Sequence, residues 1–347
     1  MTDNLLHAYT PLILWMSLGL FIFRFLPQWL PRFLGRGLYW VGVPLELFAL
    51  ARQSQLGQFN SGVSLPLLAP VVTIGALVLG LIVAFLVLWG WKRLLPYNSR
   101  VNDGTVLEDK VSYFPMSSQT RVPVSSFYSL DSNTQGSFIL ATVLGNTGFV
   151  GLGIAPFLIN SDALGWAVLY SITHNLVGPY GMGVVIASYF SQSKPSTRWW
   201  MQLREILSVP PLWAFIIGIL TQQVQLPQVI ESGLQGSVSI VIACAFLLTG
   251  IRLGQLRGWK SIKLAVLPAA IKVGVTPLFV GLATTLLLGL SGDRRLAMVL
   301  MSGMPSAFAG LILAEEYNLD RDLIASSIIL STLLLLLMLP LWIVVFG

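Results

Sequence analysis

Two stretches of this sequence place glycine and proline near the middle of long apolar runs. Residues 144–156 read LGNTGFVGLGIAP, and residues 301–310 read MSGMPSAFAG. In a helix interior, glycine costs about 1 kcal/mol and proline about 3 kcal/mol relative to alanine. Each stretch therefore predicts a break in the helix that contains it. These two breaks decide how the rest of the chain is interpreted.

The composition around these stretches is typical of a protein embedded in a membrane. Hydrophobic residues make up 55% and charged residues 10% of the 347 positions, and the mean hydropathy is +0.79. A soluble domain carries about 25% charged residues, so an ordinary cytosolic enzyme is excluded. The single cysteine and the two histidines argue against a disulfide framework and a metal site. We therefore expect neither a cofactor nor a nucleic-acid partner.

The apolar runs are long enough to cross a bilayer. A hydrocarbon core of about 30 Å requires about 20 residues of helix, and backbone polar groups inside lipid must be satisfied within the helix itself. The sequence therefore predicts an all-α integral membrane protein with ten spans. They lie at about 8–26, 38–54, 65–91, 135–159, 163–190, 203–224, 230–251, 262–289, 294–315 and 322–346.

Lysine and arginine are distributed unevenly between alternate loops of this ten-span arrangement. Sixteen of the 20 lie in one set of loops, and the other set holds only Arg52, Arg294 and Arg295. Cytoplasmic loops carry the excess of basic residues. The pattern therefore predicts a protein of the cell membrane with both termini outside the cytoplasm. It also makes the polar segment 94–134 a cytoplasmic loop.

The spans fall into two similar halves. Divided near residue 195, the chain gives five spans on each side, and each half has about 150 residues once the loop is set aside. An odd number of spans forces the halves into opposite orientations. Such inverted repeats are typical of secondary transporters, whose sites lie between the repeats at mid-membrane. The predicted units are 1–93 (spans one to three), 135–192 (spans four and five), the linker 193–202, and 203–347 (the second repeat).

The two interrupted stretches are the fourth span of each half. A broken helix leaves unpaired N–H and C=O groups at the new ends, and these carry partial charges. N–H ends that meet at mid-membrane can hold a carboxylate, with side chains adding hydrogen bonds. The alternative is that glycine and proline serve only close helix packing. The predicted binding residues are Gly145, Asn146, Thr147, Gly148, Pro305 and Ser306.

Three ionisable residues lie inside the predicted spans, where such residues are functional candidates. Glu46 is either a proton- or cation-responsive carboxylate or a carboxylate near a helix end that water reaches or that pairs with Arg52. Lys272 either balances a bound anion or an acidic partner, or extends along the lipid toward the cytoplasmic face near Lys263. His174 either titrates near neutral pH or is a neutral packing histidine.

These motifs resemble the auxin efflux carrier family, also called PIN-like transporters. The likeness rests on residues 43–48, 145–152, 303–307, 313–320 and 331–341. It implies a fold like that of sodium/proton antiporters and bile-acid symporters, with an outside N-terminus. Helices one, two, six and seven would form a scaffold, and helices three to five and eight to ten a moving transport domain.

In this family the fourth and ninth helices unwind and cross beside the substrate anion. The resemblance makes Asn146 the crossover asparagine and Pro305 the crossover proline of the second repeat. Gly153 stands where the family commonly has proline, which predicts a softer or displaced first break. The resemblance also implies a homodimer that forms through the scaffold.

The sequence thus predicts a secondary transporter that moves a small organic anion by an elevator-like motion. A Walker lysine motif is absent from the sequence, so the expected energy source is the membrane potential or a proton or sodium gradient. A cation-coupled symporter of the bile-acid–sodium type is the nearest alternative. A receptor or scaffold that uses the 94–134 loop is another. An intramembrane enzyme would need paired acids or a histidine-rich site, so we predict no catalytic residues.

Overall fold

A computed structural model gives the positions of residues 2–27, 29–53, 68–94, 130–191, 210–256 and 261–347. These residues form helices joined by short connections, which confirms the all-α prediction for them. Most of the predicted 94–134 loop, the predicted linker and the start of span six lie outside these ranges. The helices are α1 (Thr2–Ile22), α2 (Leu30–Gly37), α3 (Val43–Gln53), α4 (Leu68–Leu94), α5 (Ser132–Val143), α6 (Leu152–Leu158), α7 (Ser161–Val177), α8 (Val184–Phe190), α9 (Pro210–Leu220), α10 (Gln228–Gln255), α11 (Ile262–Ala270), α12 (Thr276–Leu286), α13 (Gly292–Ser302), α14 (Phe308–Glu316) and α15 (Arg321–Phe346).

Several of these helices have the length and composition of membrane spans. Within the part of the chain that the structure describes, five stretches qualify: Leu30–Arg52, Leu68–Trp91, Gln228–Gln255, Ile262–Leu286 and Arg321–Phe346. Such lengths cover the hydrocarbon core of a bilayer. The protein is therefore a multi-pass membrane protein, and the count of ten spans stays a prediction.

Wide helical turns join some of the shorter helices into longer bent ones. The turns Leu38–Gly42, Gly178–Gly183 and Ile271–Val275 link α2 to α3, α7 to α8 and α11 to α12. A proline lies in or just after each turn, at positions 44, 179 and 277. Because proline lacks an N–H group and collides with the preceding turn, it favours such local widening.

The helices pair in a pattern that sets the two breaks at the centre of the molecule. α1 packs along α10, and α3 packs along α9. A second group contains the broken helices: α4 packs on α5 and α7, α11 packs on α15, and α13 packs on α7 and α15. The connection between α5 and α6 therefore lies between the two groups, with α1 and α10 on one side and α7 on the other.

The contact between α1 and α10 depends on glycine. A Cβ atom on Gly250 would overlap the carbonyl oxygen of Met16, and one on Gly19 would overlap that of Leu247. Backbone atoms cannot rotate away, so we predict that Gly250→Ala pushes the two helices apart and lowers stability by about 1–3 kcal/mol. Gly236→Ala on the same helix is the matched control, because no atom lies within 4 Å of its Cβ position. Thermal unfolding in detergent tests this: equal transition temperatures for the two variants would contradict it.

Candidate binding site at the crossing of two helix breaks

Both predicted helix breaks are present. α5 ends at Val143 and the helix restarts at Thr147. α13 ends at Ser302 and α14 begins at Phe308. Pro156 takes no part in the first break, since it lies inside α6. The first break therefore lies before Pro156, whereas the second break contains Pro305.

The two breaks cross and pair with each other. Gly145 and Ser306 form an isolated antiparallel β-bridge. The Asn146 N–H donates to the carbonyl oxygen of Pro305, with an N···O distance of 2.7 Å. Chain segments that are far apart in the sequence thus satisfy backbone groups that the breaks leave without helical partners. The structure brings the two predicted motifs together.

Further hydrogen bonds fix the second segment in place. The Ala307 N–H donates to the Leu144 carbonyl oxygen at 3.0 Å. The Ser306 N–H donates to the Ser331 hydroxyl at 3.0 Å, and the Ser306 hydroxyl donates to the Ala141 carbonyl oxygen at 2.7 Å. The hydroxyl proton of Ser306 is thus engaged, and this residue holds the crossover together.

Asn146 has two functions in one side chain. Its Oδ1 accepts the Phe149 N–H at 3.3 Å and so caps the helix that begins at Thr147. Its Nδ2 is buried and has no hydrogen-bond partner among the residues that the structure describes, and Asn146 is 6% exposed. A buried donor without a partner costs about 1–3 kcal/mol. An acceptor group on a ligand would satisfy it.

Thr147 lies at the centre of a small polar cluster with α7. Its Oγ1 accepts from the Ser171 hydroxyl at 3.3 Å and from Nδ2 of Asn175 at 3.4 Å. Because Oγ1 accepts in both bonds, the hydroxyl hydrogen of Thr147 remains available as a donor. Gly148 faces the same cluster, with Nδ2 of Asn175 3.6 Å from the position that a Cβ would take.

The side chain of Lys272 points into the crossover. Its Nζ donates to the Val143 carbonyl oxygen at 3.3 Å, and the residue is 3% exposed. A Cβ on Gly145 would lie 2.8 Å from its Cε and 2.9 Å from its Nζ. The alternative in which Lys272 extends through lipid toward Lys263 is therefore wrong.

No carboxylate pairs with Lys272 among the described residues. The ion pairs found there join Arg52 to Glu231 and Arg321 to Glu315. A buried cation is costly unless an opposite charge accompanies it. The carbonyl end of α5 supplies only a partial negative charge, so a charged Lys272 gives the site an excess of positive charge.

His174 connects α7 to the first break. Its Nε2 accepts the Gly145 N–H at 3.2 Å, and its ring stacks on Tyr170 with centroids 6.2 Å apart. A ring nitrogen that accepts a hydrogen bond carries a lone pair, which places the single ring proton on Nδ1. The geometry therefore favours the neutral packing histidine over the titrating one.

Glu46 lies apart from these contacts. It is 1% exposed, its Oε1 has no hydrogen-bond partner, and no described ion pair includes it. Arg52 binds elsewhere: it donates to the carbonyl oxygens of Thr221 and Val224 and pairs with Glu231 at 3.4 Å. The alternative in which Glu46 pairs with Arg52 is therefore wrong, and the burial of Glu46 argues against a helix end reached by water.

Comparison with known proteins identifies the family. Residues 116–343 match the model of a family described as membrane transport protein. The chain belongs to this family. It is an auxin efflux carrier-like family, so the resemblance of the two crossover motifs is confirmed.

Two archaeal relatives support the same assignment. The chain is 30% identical over 220 residues to an uncharacterized transporter of Methanothermobacter thermautotrophicus. This alignment covers 62% of this chain and 70% of that protein. It is 26% identical over 224 residues to an uncharacterized transporter of Methanocaldococcus jannaschii, and this alignment also covers 62% of this chain and 70% of that protein. Family and relatives indicate a membrane transporter rather than an enzyme.

Three polar residues of this transporter's crossover were not among the predicted site residues. Ser171 and Asn175 contact Thr147, and Ser331 binds the Ser306 backbone. Ser171 and Asn175 are four residues apart in the sequence and so share one face of α7. A polar stripe along an otherwise apolar helix was the signal that could have found them.

The close contact between Gly145 and Lys272 gives a prediction for this transporter. We expect Gly145→Ala to displace the Lys272 side chain and weaken ligand binding at the crossover about tenfold, because the added methyl group needs the space that Cε and Nζ occupy. The lysine tip is flexible, so the transition temperature should change little. Gly274→Ala, two residues from Lys272, is the matched control, since no atom lies within 4 Å of its Cβ position. Titration of both variants with a transported ligand tests this, and equal affinities would refute it.

Proposed function

We propose that this protein is a secondary transporter that moves a small organic carboxylate anion across the membrane. The observation that carries the proposal is the buried Lys272 cation, whose hydrogen-bond acceptor is a backbone carbonyl and which no described carboxylate neutralises. Nδ2 of Asn146 and the hydroxyl of Thr147 are further donors on the same crossover. Charge-assisted hydrogen bonds from such a set fit the oxygens of a carboxylate.

The backbone at the crossover supports the same ligand charge. One helix starts at Thr147 and another at Phe308, each just after its own break. Helix N-termini carry partial positive charge and free N–H groups, and both favour anions. The C-terminal carbonyl of Val143 is occupied by Lys272. The side chains and these two helix starts thus contribute the same sign of potential.

The pairing of helices supports two inverted five-helix repeats with ten spans. In that arrangement α1 and α9 are the first spans of the two halves, and α3 and α10 belong to the second spans. The contacts of α1 with α10 and of α9 with α3 are then equivalent. The pairs α4–α7 and α11–α15 correspond in the same way. We assign α1, α2, α3, α9 and α10 to the scaffold and the remaining helices to an elevator-like transport domain.

Coupling and assembly complete the proposal. Glu46 is a buried acid of the scaffold without an ion-pair partner among the described residues, and it is our candidate for a proton- or cation-linked group. His174 orients Gly145 rather than carrying charge. We retain the orientation with both termini outside the cytoplasm, and the homodimer through the scaffold, as parts of this proposal.

Flux measurements in proteoliposomes test the proposed function. Purified protein would be reconstituted and offered a panel of radiolabelled mono- and dicarboxylates, with sodium and pH gradients varied separately. We expect uptake of at least one carboxylate that empty liposomes do not show. Uptake that requires sodium would favour the cation-coupled symporter instead. Carboxylate binding without flux would indicate a receptor and overturn the proposal.

A further inference from the structure

A second cation lies beside the crossover, on a helix of the proposed scaffold. Arg252 is in the last turn of α10, and its Cζ is 5.2 Å from the ring centroid of Phe308. Phe308 opens α14, two residues after Ser306 of the β-bridge. The guanidinium thus reaches the start of the helix that the second break creates.

The same face of α10 also meets the first break. Phe149, three residues after Asn146, packs with Val241, Ala245 and Leu248. Arg252 follows Leu248 by four residues, one helical turn, and therefore lies on this face. The phenylalanines that follow the two crossing segments are thus both in contact with one face of α10.

Arg252 has no anionic partner among the described residues. The ion pairs found in the described ranges use other arginines, Arg52 and Arg321. Gly35 of α2 leaves room for the guanidinium, because a Cβ there would lie 2.8 Å from Nη2. An arginine in a membrane-spanning segment keeps its charge and needs a compensating group. A carboxylate passing between α10 and the crossover would provide it.

We propose that Arg252 is a specificity-determining residue that binds the substrate carboxylate at one end of the transport cycle. The inference rests on the proposed function. Asn146 and Lys272 belong to the moving domain, whereas Arg252 belongs to the scaffold, so their separation changes during transport. A guanidinium binds a carboxylate in a bidentate manner when the two are aligned. Arg252 therefore raises affinity at one membrane face only, the cytoplasmic face at which α10 ends.

Sided transport kinetics test this inference. The KM for the carboxylate would be measured for uptake by intact cells and for uptake by inverted membrane vesicles from the same cells. We expect Arg252→Gln to raise KM at least tenfold in inverted vesicles and less than twofold in intact cells. Arg252→Lys keeps the charge but loses the bidentate geometry, so its KM should rise about threefold in inverted vesicles. If Arg252→Gln does not accumulate in the membrane, the KM values of Arg252→Lys at the two faces test the inference instead.

Arg295 supplies a matched control. Its guanidinium also lies over a phenylalanine, 5.7 Å from the ring of Phe346, and its Nε donates to a backbone carbonyl. Arg295→Gln should leave the ratio of the two KM values unchanged. An equal rise at both faces, or no rise, for the Arg252 variants would overturn the inference while the proposed function stands. Absence of any carboxylate flux by the unmodified protein would overturn both.

Discussion

Asn146→Asp is expected to abolish carboxylate transport while the protein still folds. Aspartate is nearly isosteric and caps helices as well as asparagine does, so one oxygen can still accept the Phe149 N–H. The other oxygen replaces Nδ2, the buried donor without a partner. A donor to the substrate becomes a negative charge that repels it in a site of low dielectric. We expect a loss of flux of more than 100-fold.

Comparison of Asn146→Asp with Asn146→Ala separates the helix cap from the proposed contact with the substrate. Alanine removes both the cap and the donor, so it should lower the unfolding temperature as well as flux. Loss of the cap costs about 1 kcal/mol, and loss of a hydrogen bond to a charged group about 1.5–3 kcal/mol. Flux into proteoliposomes and thermal unfolding in detergent would be compared for both variants. Undiminished flux in Asn146→Asp would show that this residue does not contact the anion.

The crossover could be predicted because its causes are local. Glycine and proline disfavour helix wherever they occur, and the division into equal halves placed the two interrupted spans at equivalent positions. Both breaks follow from these facts, and the expectation that they cross came from the family resemblance. The exact position of the first break did not, because Pro156 is the strongest helix breaker in its span and lies inside α6. There the helix ends at Val143, ahead of Gly145 and Asn146.

The direction of the Lys272 side chain could not be predicted from the sequence. A lysine about ten residues into a span can extend toward the headgroups or turn inward, and its immediate neighbours permit both. Gly145 decides between them, since it leaves the space for Cε and Nζ. That contact joins residues more than a hundred positions apart, which no periodicity of the sequence encodes.

The hydrogen-bond partner of Ser306 could not be predicted from the sequence either. Its residue type and its place beside Pro305 predicted a hydrogen bond to the substrate. In the structure its hydroxyl donates to the Ala141 carbonyl oxygen, and its N–H donates to Ser331. A serine beside a helix break can satisfy either a ligand or an exposed carbonyl. Which one it satisfies depends on how the two segments cross.

Lys272→Met is expected to raise the stability of the ligand-free protein and to weaken anion binding by tens to a hundredfold. Burying an ion costs several kcal/mol even after the protein relaxes, and the carbonyl of Val143 offsets only part of this cost. Methionine is similar in length, apolar and flexible, so it fits beside Gly145. The bound anion, however, loses the full positive charge that we assign to Lys272 at the crossover.

The opposite signs of these two effects distinguish a binding role from a structural one. If Lys272 served mainly to hold the first break in place, its replacement would lower the unfolding temperature and leave affinity nearly unchanged. Lys263→Met, an exposed position on the same helix, controls for the loss of one positive charge from the protein. Thermal unfolding without ligand and calorimetric titration with the transported carboxylate give both quantities. A stable variant with weaker binding means that the protein retains a buried cation, at a cost in folding, because its substrate is negative.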